Sequence, residues 1–110
     1  MLESEYQKYL VGVLRHLFRD CFILKNDPNF LQGLPDLLIL FKEKWAVLEV
    51  KPFEGAHQQP NQEYYIRRLN DMSFAAFIYP ENEEEVLQQL SAYFLPPVKL
   101  TRAKRTKTKT

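Results

Sequence analysis

Asp36, Glu49 and Lys51 are the residues of this chain whose types and spacing could do chemistry. Asp36 follows Pro35 and opens an apolar run, Leu37-Leu38-Ile39-Leu40-Phe41. The polar trio Lys42-Glu43-Lys44 comes next, and Trp45-Ala46-Val47-Leu48-Glu49-Val50-Lys51 reads as a returning strand. With the turn centred near Glu43, antiparallel pairing sets Asp36 opposite Glu49, Leu38 opposite Val47 and Leu40 opposite Trp45. Side chains alternate along a strand, so Glu49 and Lys51 share a face with Asp36 while Leu48 and Val50 point the other way. Two acids and an ammonium on a rigid hairpin make a hard, oxygen-lined site that suits a magnesium ion and a nearby water. A plainer arrangement also fits, with Asp36 opening a strand after a turn and Glu49 and Lys51 on the solvated face of an edge strand. Trp45 and Val47 weigh against it, because they make the stripe apolar until it turns charged at the end facing Asp36.

The elements that must position these residues follow from periodicity. Leu2, Tyr6, Leu10, Val13 and Leu17 line one face of an amphipathic helix over Leu2 to Phe18. Phe22 to Lys25 make a short strand, Asn26-Asp27-Pro28-Asn29 is turn chemistry, and Gly33-Leu34-Pro35 leads into the hairpin. Pro52 to Gln59 reads as an irregular loop containing His57. Pro60 suits the first turn of a helix running to about Asp71, with Tyr65, Ile66, Leu69 and Met72 inward. Phe74 to Tyr79 is an apolar strand, and Glu83 to Phe94 is a last helix with acids near its positive end, stopped by Pro96-Pro97. The expected class is α/β (α+β), in the order αβββαβα: a four-stranded mixed sheet flanked by helices, its last strand added through a helical crossover.

One domain fits 110 residues with 45% apolar and 14% aromatic side chains. The division expected is 1–95 for the domain and 96–110 for a basic, flexible tail. A membrane-length apolar run and a signal-peptide pattern are both missing, which leads to the expectation of an intracellular, cytoplasmic protein. Cys21 is the single cysteine, and within Cys21-Phe22-Ile23-Leu24 it reads as a structural thiol. The net charge of +1 hides an asymmetry, since Lys99, Arg102, Lys104, Arg105, Lys107 and Lys109 lie in a tail without acids. The rest of the chain then holds nine bases against fourteen acids. Such an arm is attracted to phosphate backbones, although solubility, targeting or packing on its own acidic body fit the same composition.

Pro35-Asp36, Glu49-x-Lys51 and the later Gln62 resemble the signature of the PD-(D/E)XK nuclease superfamily, and more narrowly its VRR-NUC and small phage-type Holliday junction resolvase members. The resemblance runs from Glu3 to about Leu90. It implies a restriction-endonuclease-like core and a metal-dependent DNA endonuclease. In that division of labour Asp36 and Glu49 hold magnesium, helped by the Val50 carbonyl and by Glu3 directly or through water, with manganese able to substitute. Lys51 orients or helps deprotonate the attacking water, and Gln62 supports the lysine or a scissile phosphate. The family's first-helix acid has two candidates. At roughly 100° per residue, Glu3 lies about 60° from the centre of the apolar stripe and Glu5 about 100° away, which favours Glu3. Placement near a helix start explains either acid as well.

Arg68 on the second helix joins the six tail cations as a candidate DNA contact. With no obvious reader helix or zinc finger, recognition of DNA shape is expected over recognition of sequence. The substrate implied is branched or duplex DNA, cut by a homodimer or higher oligomer, in a host cytoplasm if the protein is phage-encoded. Tyr6, Tyr9, Phe74, Phe77, Tyr93 and Phe94 look too numerous for so small a core, which also suggests dimerisation. The alternatives are a homing or restriction-like endonuclease that reads a defined site, and a non-catalytic nucleic-acid-binding module of the same fold. His57 and His16 have no ligand-spaced partner, so zinc is not expected. Phosphate-gripping glycine loops and G-x-S-x-G are missing, which argues against a nucleotide hydrolase or serine esterase.

Overall fold

The computed structural model describes residues 2–27 and 33–97. Its elements are α1 (Glu3–Leu17), β1 (Phe22–Lys25), β2 (Leu37–Phe41), β3 (Lys44–Val50), α2 (Gln62–Met72), β4 (Phe74–Ile78) and α3 (Glu83–Phe94). The strands form one sheet in the order β1-β2-β3-β4, antiparallel except for the β3–β4 pair. This is the expected αβββαβα order and mixed sheet. The hairpin register is also the expected one, with Leu38 opposite Val47 and Leu40 opposite Trp45. Phe41 pairs with Lys44, so the connection is Lys42-Glu43, and Lys42 takes φ +55° to turn the chain so tightly.

One face of the sheet carries Leu37, Ile39, Phe41, Ala46, Leu48, Val50 and Ile78, all buried against α1 and α3. Full burial of each such Leu or Ile side chain stabilises by about 1.5–3 kcal/mol. Phe18, Phe41 and Phe94 close the far end as a ring trio with centroids 5.0–5.6 Å apart. The Tyr6 and Tyr9 hydroxyls donate to Glu83 at 2.9 and 3.0 Å and join α1 to α3. α2 lies on the other face, chiefly over β3 and β4.

Several expectations need correction. The inward stripe of α1 is Tyr6, Leu10 and Leu14, continued by Phe18, whereas Leu2 and Leu17 are exposed. Val13 and Leu17 instead line a surface groove with Leu87 of α3, so the neighbouring helix decides which of two overlapping stripes faces the sheet. α2 starts at Gln62 and not at Pro60, because Asn61 adopts left-handed φ +77° and cannot belong to the first turn. Met72 ends that helix and is 64% exposed. Tyr6 and Phe94 are buried, and Phe74 stacks on Tyr93, so of the six aromatics taken to suggest dimerisation only Tyr9 remains exposed. Pro28 and Asn29 of the expected turn, and the tail cations, lie outside the described residues.

Gly33 joins the strand that bears Asp36 to the start of α2. It has φ +94°, and a Cβ there would lie 3.3 Å from a Tyr65 ring carbon and 3.4 Å from the Pro60 carbonyl oxygen. Gly12 sits in the middle of α1 with open space around it. Gly12→Ala is therefore expected to stabilise the protein by about 0.5–1 kcal/mol, and Gly33→Ala to destabilise it by more than about 1 kcal/mol. Urea unfolding midpoints of the two variants measure both, and a Gly33→Ala protein as stable as the parent would show that the close approach imposes no constraint.

Candidate active site

The charged side chains gather at the carboxyl end of β3. Asn26 donates its backbone N–H to the Asp36 carbonyl at 2.8 Å, one step beyond the β1–β2 ladder. Across the hairpin, the Asp36 N–H donates to Glu49 Oε1 at 3.2 Å, and Asp36 Oδ2 accepts the Val50 N–H at 2.9 Å. The acids are thus locked to each other's strand. A strand residue engaged with one neighbour turns its N–H and C=O to the same side, so the Val50 carbonyl also faces the β2 side, where Asp36 lies. The Lys51 N–H turns to β4, donating to the Ile78 carbonyl at 2.9 Å.

Gln62 ties the remaining groups together. Its Oε1 accepts from Lys51 Nζ at 2.8 Å and from the Gln59 N–H at 2.9 Å, while its Nε2 donates to Glu49 Oε2 at 2.8 Å. An ammonium on one side and a carboxylate on the other fix which end of the amide carries oxygen. Lys51 Nζ also donates to the His57 carbonyl at 2.9 Å and lies 3.6 Å from Glu49 Oε2. Glu49, Lys51 and Gln62 are all buried, and among the described residues every buried side-chain N or O has a partner.

Burying two acids together is costly. Glu49 is pushed up to about 7, first by burial and then by the charge of Asp36, against the pull of Lys51 and the Asp36 N–H. Burial also raises Asp36, outweighing the Val50 N–H and Lys51. Glu3 stands at the exposed start of α1, and its carboxyl is raised by partial burial and then by Asp36, with Lys51 opposing. Once the true stripe of α1 is used, Glu3 lies only about 20° from its centre, closer than the sequence periodicity indicated, and Glu5 about 140° away. The Glu5 side chain accepts the Leu2 N–H at 3.0 Å, a helix-start role.

The chemistry of the donor set fits a hard divalent cation, since two opposed carboxylates whose charges repel would gain from one and retain lone pairs for it. Asp36, Glu49 and the Val50 carbonyl are the groups that would hold it. Glu3 reaches the site through its charge: among the described residues, no cluster of three or more acid, histidine or cysteine side chains has metal-ligand spacing. Arg68 is exposed on α2 and lies outside the network. Sequence reasoning missed two contributors, the His57 carbonyl and the Gln59 N–H. The second had a signal, because Gln59 and Gln62 are three apart at a helix start. The first had none, since any residue supplies a carbonyl. The His57 imidazole is exposed, and Cys21 is half-buried against the core, its thiol pushed up by burial.

No family model matches the sequence, and no curated protein matches it. A solved structure described as a VRR_NUC domain protein does share the fold, with a TM-score of 0.58 and 20% identity over 84% of this chain and 90% of that one. The chain therefore shares the fold of a VRR_NUC domain protein, in the element order αβββαβα. Asp36, Glu49 and Lys51 stand on its hairpin at the positions named from the sequence, and Gln62 opens its second helix.

The raised acids set the direction of pH dependence. A carboxyl that holds its proton more tightly folded than unfolded stabilises at low pH, and that contribution fades as pH rises through the folded value. In chelator, stability should fall as pH rises from the usual Glu value of 4.5 to about 7, by on the order of 3 kcal/mol at about 1.36 kcal/mol per pH unit. Asp36→Asn, which keeps an acceptor for the Val50 N–H, should flatten the decline and be the more stable protein at pH 8. Magnesium should stabilise the parent at pH 8 but not this variant. Urea midpoints across pH test all three, and an unchanged slope in Asp36→Asn would show that the acids do not repel.

Proposed function

We propose that this protein is a magnesium-dependent DNA endonuclease, with manganese able to substitute, and that it acts on branched DNA such as Holliday junctions as a homodimer. The observation that carries the reading is the buried Glu49–Gln62–Lys51 bridge set against Asp36 on a VRR-NUC fold. A structural ion pair needs one acid, whereas a second acid held against the first destabilises the folded protein and suits a cation.

A divalent ion held there supplies charge neutralisation at a phosphate and at the leaving oxygen. Asp36 and Glu49 would hold it from opposed strands, with the Val50 carbonyl beside them. Lys51 keeps an ammonium at a fixed position, because Gln62 and the His57 carbonyl hold it, and there it orients the attacking water against the phosphate. Gln62 positions Lys51 and Glu49 relative to each other. Glu3 adds negative charge at the mouth of the site and holds solvent near the acids. Arg68 and the tail cations Lys99, Arg102, Lys104, Arg105, Lys107 and Lys109 meet the phosphate backbone beyond the cut. Among the described residues no helix is long and apolar enough to cross a membrane, and a cytoplasmic location belongs to the same proposal.

A cleavage panel of junction, flap, duplex and single-stranded DNA with magnesium or manganese tests the activity, and the junction should be cut fastest. Lys51→Ala should reduce single-turnover cleavage at least about 100-fold while magnesium titrates with equal or higher affinity. Cleavage at the parent rate would remove Lys51 from the mechanism. Deletion of residues 99–110 should weaken DNA binding and flatten its salt dependence, by up to about five units of log–log slope if all six cations meet phosphates. An unchanged slope would show that the tail meets something other than DNA.

A further inference from the structure

The acids' face of the sheet carries a second feature. Beside α2 lies a cavity of about 340 Å³ walled by Leu24, Leu38, Trp45, Val47 and Leu69. Asn26, Lys25 and Pro35 line it too, and two of them adjoin the site directly: Asn26 bonds the Asp36 carbonyl, and Pro35 precedes Asp36. Leu38 and Val47 are a cross-strand pair, each two residues from an acid, so their side chains rise from the same face about 7 Å along the strands from Asp36 and Glu49. Phe22 pairs with Leu40 on that face and is 71% exposed, extending the apolar strip outward.

We infer that this cavity receives an unstacked nucleobase from the strand whose phosphate lies at Asp36 and Glu49. The inference rests on the nuclease reading and gives its substrate a feature, an unpaired nucleotide beside the scissile bond. A phosphate and its own base are separated by one sugar, which is about the offset between the acids and the cavity. The volume sits at the small end of ligand pockets, enough for one base and too little for a base pair. Its walls offer the aromatic surface of Trp45 and flat aliphatic surface to the faces of a base, and Asn26, whose amide donates to the Leu34 carbonyl at 3.5 Å, brings a polar side chain to the lining for the edge of the base. A paired, stacked base would have to leave the helix to enter, and that costs least where DNA is branched, gapped or single-stranded. Selectivity for such DNA then arises within one subunit.

The test uses the full chain and two readouts. Oligonucleotides carrying 2-aminopurine at successive positions are titrated with protein in chelator, and the same strands carrying an abasic site at each position are assayed for binding and for cleavage with magnesium. One position should change fluorescence on binding, and an abasic site there should weaken binding about 10-fold. Trp45→Ala should lose both effects at that position; Leu24→Ser, at a half-exposed site, should reduce them if Trp45→Ala fails to fold. Cleavage that is indifferent to base removal at every position would overturn the cavity's role while leaving the nuclease reading intact. Failure of every DNA to be cut, with the position-specific fluorescence change retained, would overturn the nuclease reading and keep a base-binding cavity. If the Leu24→Ser and Trp45→Ala proteins instead lose concentration-dependent self-association in sedimentation, without any change toward the oligonucleotides, the face is an interface between copies and the inference fails.

Discussion

Two carboxylates held face to face across a β-hairpin are the constraint around which the rest of this structure is arranged. The β2–β3 register puts Asp36 opposite Glu49, and each acid accepts a backbone N–H from the other's strand. Moving either carboxylate gives up a hydrogen bond to the other's strand. Their mutual repulsion is countered by Lys51, and Lys51 would be mobile without Gln62 and the His57 carbonyl. One amide thus sets the distance between the cation and the nearer acid. Gln62 can do so because α2 begins where it does, after the left-handed Asn61 and against Gly33.

The two faces of the sheet divide the work between stability and chemistry. α1 and α3 seal one face with a continuous apolar core that includes the residues alternating with the acids, namely Leu37, Leu48 and Val50. That face fixes the strands. The other face is covered by α2 chiefly over β3 and β4, and it carries both the buried charged end and the adjoining apolar cavity. The small fold can hold charged groups in a stressed arrangement because the stabilising burial lies on the opposite side of the same strands.

Where the likeness to another protein is one of fold, the local physics of the site is more informative than similarity. At 20% identity the structural neighbour speaks for the fold alone. Identical chemistry at the acids does not follow from such a likeness, since one fold hosts many functions. It is the raised carboxyls, the buried ammonium and the fixed amide that distinguish this hairpin end from a solvated strand terminus.

Period-two and period-3.6 patterns were strong enough in this sequence to determine the element order, the hairpin register and the identity of Asp36, Glu49 and Lys51 as neighbours. The register was legible because sliding either strand by one residue would bury the acids in the core and expose Leu37, Leu48 and Val50. Gln62 was legible as an amide on an inward helix face, where it needs partners. Other features depended on contacts between elements that are distant in sequence. Which stripe of α1 faces the sheet, and so how close Glu3 comes to the acids, was decided by α3 packing beside it. The burial of the aromatics was decided by the ring trio and by Phe74 against Tyr93, which no single segment reveals. The tether from Lys51 to the His57 carbonyl, and the cavity between Leu24, Trp45 and Leu69, exist only in the tertiary structure. Backbone carbonyls carry no sequence signature, and a cavity is defined by the spacing of three elements that periodicity describes only one at a time.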